Sequence, residues 1–213
     1  MKKYELTNEV KVVNGVTLHR IKALISFAGV DKGELGGFVE KEKNLSQDGN
    51  AWVADDAVVY CDARVSFDAV VSGNANVFGR AKVFGTAWVS GNAQVYGKAR
   101  VSGNAIISEY SWVYESAHVY GNAVVSGLAR VAGNARVYND AQVSGGTNVS
   151  DDVRVFGNAK VYGYARVYGN AMMYGNAVVC DEAVVGGNAR VYGNAKVDGN
   201  VMVCGLEKLS SNE

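Results

Sequence analysis

The sequence predicts an all-β solenoid, and three observations support this prediction. An aliphatic residue recurs every six positions across residues 53–203 and is valine everywhere except at Ile107 and Met173. A small residue lies two positions before each of these aliphatic residues, and it is alanine except at Ser111, Thr147, Val153 and Val201. The dipeptide Gly-Asn most often separates one unit from the next. A fixed period of this kind indicates a repeat architecture.

The unit Ala-x-Val-x-Gly-Asn specifies a short strand followed by a corner. Its alanine and valine lie two residues apart, so they point to one face of a strand while the variable residues point to the other. Glycine accepts a positive φ without steric cost, and asparagine tolerates it better than most residues. We therefore expect coils that pair through parallel backbone hydrogen bonds and stack identical side chains in the interior.

The unit resembles the hexapeptide repeat of left-handed parallel β-helices, in which three hexapeptides form one coil of 18 residues. That resemblance implies a left-handed parallel β-helix of about 8–9 coils across residues 51–205. In that family the glycine usually follows the aliphatic residue directly, whereas here it comes one position later. We expect this difference to change the corner and to leave the inward pair in place.

Residues 1–50 lie outside the repeat and are predicted to form an N-terminal cap. Asn14-Gly15 is typical of a hairpin turn, and the segment after it is predicted to be a strand that packs over the first coil. A cap is expected because the open end of a solenoid exposes unpaired strand edges and the apolar interior. Residues 206–213 are predicted to be a short C-terminal tail.

The cap carries a narrower resemblance. Gly36-Gly37-Phe38-Val39 and the segment at 44–53 are similar to the opening of YdcK-like bacterial proteins, which are hexapeptide-repeat proteins labelled as acyltransferases without a firmly assigned chemistry. The resemblance therefore implies no particular substrate.

Composition limits the expected binding partners, cellular location and cysteine chemistry. The formal net charge is zero, so composition alone does not indicate a nucleic-acid or membrane partner. Neither a signal peptide nor a membrane-spanning apolar run is evident, and a cytoplasmic location is expected. Cys61, Cys180 and Cys204 lack metal-ligand spacing and are expected to be free thiols. We expect no metal site.

Residues 18 apart stack in such a solenoid, which sorts the outward residues into three faces. The first face presents large apolar residues above a column of serines: Trp52, Val70, Trp88, Ile106 and Val124. An exposed apolar strip usually marks a contact surface. Because hexapeptide proteins are commonly trimers, we expect a homo-oligomer, with a trimer favoured, formed through this face. The alternative is that residues 1–50 fold over it.

The third face combines cations with aromatic rings. Its first column reads Arg64, Lys82, Arg100, His118, Arg136, Arg154, Met172 and Arg190. Its second column is aromatic over Tyr120, Tyr138, Phe156, Tyr174 and Tyr192. The arginines, the lysine and these five aromatic residues are candidate ligand-binding residues. Guanidinium groups and rings suit a nucleotide, a nucleic acid or an anionic polysaccharide. The alternative is that stacked tyrosine and arginine side chains only cover the sheet.

His118 is the candidate general base if the protein is an acyltransferase that uses acyl-CoA. Hexapeptide acyltransferases commonly employ a histidine, and Arg100 and Arg136 beside His118 favour its neutral form. However, such enzymes typically extrude a loop from a coil to hold the acceptor, and this repeat is never interrupted. We therefore favour a non-catalytic binding or assembly scaffold without a cofactor.

Overall fold

The computed structural model describes residues 2–211, and it is a parallel β-solenoid with three flat faces. The end of the predicted tail, at 212–213, lies outside the described residues. Each two-residue strand of the repeat pairs in parallel with the strand 18 residues away, as in Arg136↔Arg154 and Val137↔Val155. The predicted β-solenoid and its 18-residue register are confirmed.

Successive strands of the repeat fall on faces 1, 2 and 3 in turn. Face 1 consists of Trp52–Val53, Val70–Val71, Trp88–Val89, Ile106–Ile107, Val124–Val125, Gln142–Val143, Lys160–Val161, Val178–Val179 and Lys196–Val197. Face 2 consists of Val58–Val59, Asn76–Val77, Gln94–Val95, Trp112–Val113, Arg130–Val131, Asn148–Val149, Arg166–Val167, Val184–Val185 and Met202–Val203. Face 3 consists of Arg64–Val65, Lys82–Val83, Arg100–Val101, His118–Val119, Arg136–Val137, Arg154–Val155, Met172–Met173, Arg190–Gly193 and Lys208–Ser211.

The alanines and valines of the repeat form one continuous core. Nearly all of them are fully buried, as are Ile107 and Met173, which replace valine. Burying a valine side chain contributes about 1.5 kcal/mol or more, and every unit adds one to the same column. A single coil has no partner above or below to complete this burial, so the stack is the stable unit.

The cap is built on an antiparallel hairpin. Strands β1 (Tyr4–Val13) and β2 (Val16–Ala23) pair antiparallel with a register shift between Leu6 and Val10, and the turn residues Asn14 and Gly15 have φ of 50° and 79°. Positive φ at both positions is what a tight hairpin turn requires, so the predicted hairpin is confirmed. Strand β3 (Leu35–Val39) pairs antiparallel with β2 and parallel with Val58–Val59. The cap hairpin is thereby joined edge to edge with face 2.

The solenoid is slightly longer than the hexapeptide region. Strand β3 adds a level to face 2 at the start, and Lys208–Ser211, in the predicted tail, adds one to face 3 by pairing with Arg190–Gly193. Leu45, directly after a short 3₁₀ helix at Glu42–Asn44, bridges to Val65 in the same way. The chain makes about ten turns rather than the expected 8–9, because segments without the repeat sequence continue its ladders.

Two contacts hold the cap against the first coil. A Cβ on Gly37 would lie 2.5 Å from the Ala57 carbonyl oxygen, so glycine is needed for the close approach of β3. The ammonium of Lys3, 2% exposed, donates to the carbonyl oxygens of Gly49 at 3.1 Å and Ala51 at 2.8 Å. Burial lowers the pKa of Lys3 to about 8, against the opposing charges of Asp48 and Asp68.

The corners place one residue of each unit in the left-handed region, and that residue is usually glycine. A Cβ on Gly133, for example, would lie 2.6 Å from the backbone nitrogen of Asp151 in the next coil. Eight units have another residue there, also with positive φ: Asp55, Cys61, Phe67, Glu109, Glu115, Asn139, Asp151 and Asp181. In every case the residue 18 positions later is glycine, so two side chains never follow each other on one edge.

Acidic residues at these corners gain a compensating hydrogen bond. The carboxylates of Asp55, Glu115, Asp151 and Asp181 each accept from the backbone N–H of the glycine in the next coil, at 2.7–3.0 Å. A hydrogen bond to an ionised carboxylate offsets part of the cost of a left-handed backbone. This explains why acidic residues replace glycine at the corners more often than other types do.

The corner contact predicts a difference between two alanine substitutions. Gly133→Ala should destabilise the protein by about 1–3 kcal/mol more than Gly199→Ala, because only Gly133 has backbone within reach of a new Cβ. The two sites are otherwise matched, since each has a positive φ and donates its N–H to a carboxylate. Urea unfolding of both variants measures the difference. Equal losses would show that contact between corners does not limit the side chain.

A polar side chain in the core provides a second stability prediction. The hydroxyl of Thr147 is buried and has no hydrogen-bond partner among the described residues. Thr147→Val removes this hydroxyl without changing the shape of the side chain, so it should stabilise the protein by about 1 kcal/mol. Ser111→Ala is the control, because Ser111 Oγ donates to the Ser108 carbonyl oxygen at 2.7 Å and its loss should destabilise. Thermal unfolding distinguishes the two, and a loss of stability in Thr147→Val would contradict the assignment.

Candidate functional site

Face 3 displays a column of cations that is interrupted at His118 and Met172. The register pairs Arg64 with Lys82, Lys82 with Arg100, and Arg136 with Arg154, so these positions stack on one another as expected. All five side chains are exposed, and none forms an ion pair within residues 2–211. Like charges about 5 Å apart repel by about 1 kcal/mol in water, so the column carries an unbalanced positive potential.

The aromatic residues on the same face form a ladder in which the rings stack on one another. Neighbouring rings from Tyr120 to Tyr192 lie parallel with centroids 4.8–5.1 Å apart. Each inner ring is therefore covered on both sides by its neighbours, as in other offset-stacked pairs. The expectation that these rings offer their faces to a base or sugar needs correction: only the edges and the hydroxyl groups of the inner rings face outward.

His118 lies in the cationic column between Arg100 and Arg136 and is half-buried. Burial lowers the pKa of His118 below its usual value, and the charges of Arg100 and Arg136 lower it further. Its imidazole is therefore neutral near pH 7, as expected. Glu115, which lies three residues before His118, accepts a hydrogen bond from the backbone N–H of Gly133 at 2.7 Å.

The end of face 3 nearest the cap has a different structure. Phe84 has serine one coil away on each side in its column, at Ser66 and Ser102, so no ring covers it there. The exposed ring of Phe67 lies 6.5 Å from that of Phe84, and the guanidinium of Arg100 lies 5.4 Å from the Phe84 ring. Sequence reasoning missed Phe67. The available signal was an aromatic residue at a corner position that is usually glycine.

Face 1 keeps part of its expected apolar strip. Trp52 does not belong to it, because the cap covers its indole with the rings of Phe27 at 5.4 Å and Tyr4 at 6.4 Å and leaves it 4% exposed. Trp88 is 51% exposed and Ile106 is 41% exposed. Val70 and Val124 are half-buried at either end of this pair. The cap therefore folds over only the first position of the strip.

The edge between faces 1 and 2 adds apolar groups that sequence reasoning did not identify. Tyr110, Leu128 and Tyr164 are exposed at the second residue of their corners, where asparagine is usual. Tyr164 lies over Gly146, where a Cβ would come within 2.7 Å of its ring. The apolar surface of face 1 therefore continues around this edge.

The fold and the repeat place the chain in the class of parallel β-solenoid repeat proteins. The family model described as the YdcK beta solenoid repeat matches residues 93–109, 99–115, 129–145 and 165–181. These matches lie within the solenoid rather than in the cap, and together they cover less than half of the chain. The chain is thus a β-solenoid repeat protein that resembles YdcK. No curated protein matches it significantly.

Two further features bear on the class of site. No group of three His, Cys, Asp or Glu side chains within the described part of the chain is arranged to hold a metal ion. Across residues 2–211, the structure contains no helix with the length and apolar character needed to span a membrane.

Proposed function

We propose that the protein is a non-catalytic scaffold that binds an anionic ligand on face 3 and associates with itself through face 1. The observation that supports ligand binding is the stacked, exposed and unneutralised column of cations. Arginine and lysine side chains normally relieve such repulsion with carboxylates, and here the neighbouring coils supply further cations instead. An anionic ligand across several coils would neutralise several of these charges at once.

The geometry of face 3 favours ligands with repeated negative charge. Neighbouring coils lie about 4.8 Å apart, so successive guanidinium groups can contact successive phosphate or carboxylate groups of one ligand. The tyrosine hydroxyl groups beside them add hydrogen-bond donors along the same line. A nucleotide, a nucleic acid strand and an anionic polysaccharide share this chemistry.

Charge reversal on face 3 tests the proposal. Arg136→Glu/Arg154→Glu should weaken binding of an oligodeoxythymidylate or a heparin oligosaccharide at low salt by about tenfold or more, because two contacts become repulsive. Lys160→Glu/Arg166→Glu is the matched control, since it changes net charge equally on faces 1 and 2. Fluorescence anisotropy measures both. Equal losses in the two variants, or no binding by the unchanged protein, would overturn the proposed anion site.

Self-association is supported by the exposed pair Trp88 and Ile106. The indole of Trp88 is held in place by a hydrogen bond from Nε1 to Ser72 Oγ at 3.0 Å, so it presents a fixed apolar surface. Large exposed aromatic groups on a rigid sheet are characteristic of protein interfaces. In a trimer whose threefold axis runs beside the solenoids, each subunit would bury its own apolar strip.

A charge on the strip should break the assembly. Trp88→Glu and Ile106→Glu should each give a monomer of 22.6 kDa, because a buried unpaired carboxylate opposes association. Gln142→Glu is the control, since it lies in the same column beyond the apolar strip. Light scattering coupled to gel filtration measures the mass. A monomeric unchanged protein, or an unaltered oligomer in both strip variants, would contradict this interface.

An acyltransferase that uses acyl-CoA is the second candidate, and the lowered pKa of His118 favours it. A neutral imidazole can accept a proton from an acceptor hydroxyl or amine. Acetyl transfer from acetyl-CoA that disappears in His118→Ala would replace the scaffold proposal with this one.

A further inference from the structure

The backbone of Phe67 is strained, and no hydrogen bond from the Phe67 side chain compensates for this strain. Its φ of 61° places a bulky residue in the left-handed region, and its side chain is 63% exposed. Four of the five acidic corner residues accept a hydrogen bond from the next coil, whereas a phenyl ring has no acceptor to offer. Glycine occupies the preceding and following positions on this edge, at Gly49 and Gly85, without strain. A residue that costs stability and is not buried is a candidate for a functional role.

Phe67 lies beside a cleft on face 3. Arg64, Ser66, Lys82, Phe84 and Arg100 complete the walls of this cleft, whose volume is about 260 Å³. The cleft exists because Ser66 leaves the space between the two phenylalanine rings unfilled, whereas further along the face every ring covers the next. Three cations and two rings thus meet at one concave site, where the Arg100 guanidinium lies over one face of the Phe84 ring.

The cap forms a boundary on the other side of Arg64. A second cleft there is lined by Glu42, Lys43 and Gln47 from the cap together with Arg64 and Ser66. Glu42 is paired with Lys2 at 2.6 Å, and Asp68 accepts a hydrogen bond from Asn50 at 2.9 Å, so both carboxylates are already engaged. Cations therefore predominate over the coils that carry Arg64, Lys82 and Arg100, and acidic groups predominate at the corner beyond Phe67.

We propose that this end of face 3 is a binding site for a nucleotide. The phosphate groups would be held by Arg64, Lys82 and Arg100, and the planar base would lie against the rings of Phe67 and Phe84. The neutral sugar would be directed to the corner, where Asp48 beside Phe67 can accept hydrogen bonds from its hydroxyl groups. This inference rests on the proposed anion binding of face 3 and specifies where the ligand binds and of which class it is.

The chemistry of the site favours a mononucleotide over a long polymer. Arg64, Lys82 and Arg100 place cations on three successive coils, where they can contact linked phosphate groups, and stacking of a base on an aromatic ring contributes about 1–3 kcal/mol. A polymer that continued beyond the cap side would meet Asp48, whose charge opposes an extended polyanion. A short ligand that carries its charge at one end and a planar ring at the other avoids this repulsion.

The test uses three probes on the full chain: ADP, pyrophosphate and adenosine, measured by titration calorimetry at low salt. Phe67→Gly removes one ring and relieves the left-handed strain, so it should leave stability unchanged or higher while weakening ADP binding about tenfold. Pyrophosphate binding should stay within about twofold in this variant, because the phosphate contacts remain. Arg64→Gln should weaken both ADP and pyrophosphate. Arg166→Gln, on face 2, is the control and should leave both unchanged.

The outcomes separate this inference from the proposed function. Loss of ADP binding in Phe67→Gly with undiminished stability supports the site, since a purely structural role would give the opposite result. The nucleotide site is wrong if Phe67→Gly and Arg64→Gln both bind ADP as the unchanged protein does. It is also wrong if ADP does not bind while the oligodeoxythymidylate or heparin binds through Arg136 and Arg154. In either case the proposed anion binding by face 3 stands. Failure of every anion to bind at low salt overturns both.

Discussion

The close contact between corners of successive coils determines the rest of the structure. Each corner places one residue at positive φ, and a Cβ there points at the backbone of the residue 18 positions later, within about 3 Å. Glycine permits this approach, and the approach lets each coil form its full set of backbone hydrogen bonds with the next. The valine columns, the flat faces and the alignment of outward side chains all follow from that register.

A fixed register has an electrostatic consequence, because it converts a periodic sequence into columns of like side chains. Aromatic columns gain from this arrangement, since rings at the coil spacing stack, as on face 2 from Tyr60 to Tyr114. Cationic columns are destabilised, because the same spacing brings like charges close together. On face 2 the guanidinium of Arg130 lies over the Trp112 ring, which partly offsets that loss, but most cations of face 3 have no such partner. The favourable free energy of folding offsets this repulsion between cations, and a bound anion would reduce it.

The sequence was sufficient to predict the solenoid, its register and the membership of each face, because all three depend on a period that can be read directly. It was also sufficient for the hairpin at Asn14-Gly15, whose turn chemistry is local. The sequence did not predict how segments outside the repeat pack against the solenoid or pair with its strands. The burial of Trp52 depends on where Phe27 and Tyr4 lie, and the added strand β3 depends on backbone pairing that no residue pattern marks. Lys208–Ser211 keeps only the aliphatic position of the repeat, at Leu209. The sequence left open whether the rings from Tyr120 to Tyr192 bind a ligand or stack on one another, and the structure shows that they stack.

A uniform solenoid offers flat faces, so a concave site must come from a break in its regularity. Two kinds of break coincide at the start of face 3. The cap ends there with Leu45 joined to the ladder of Val65, and serine replaces a ring on either side of Phe84. Phe67 adds an exposed ring on a backbone conformation that glycine would adopt at lower energy. These departures make the cap end of face 3 different from the stretch between Tyr120 and Tyr192, where each ring of the aromatic column stacks on the next. The cap therefore closes the solenoid and also lies beside Phe67, next to the cleft that we propose as the nucleotide site.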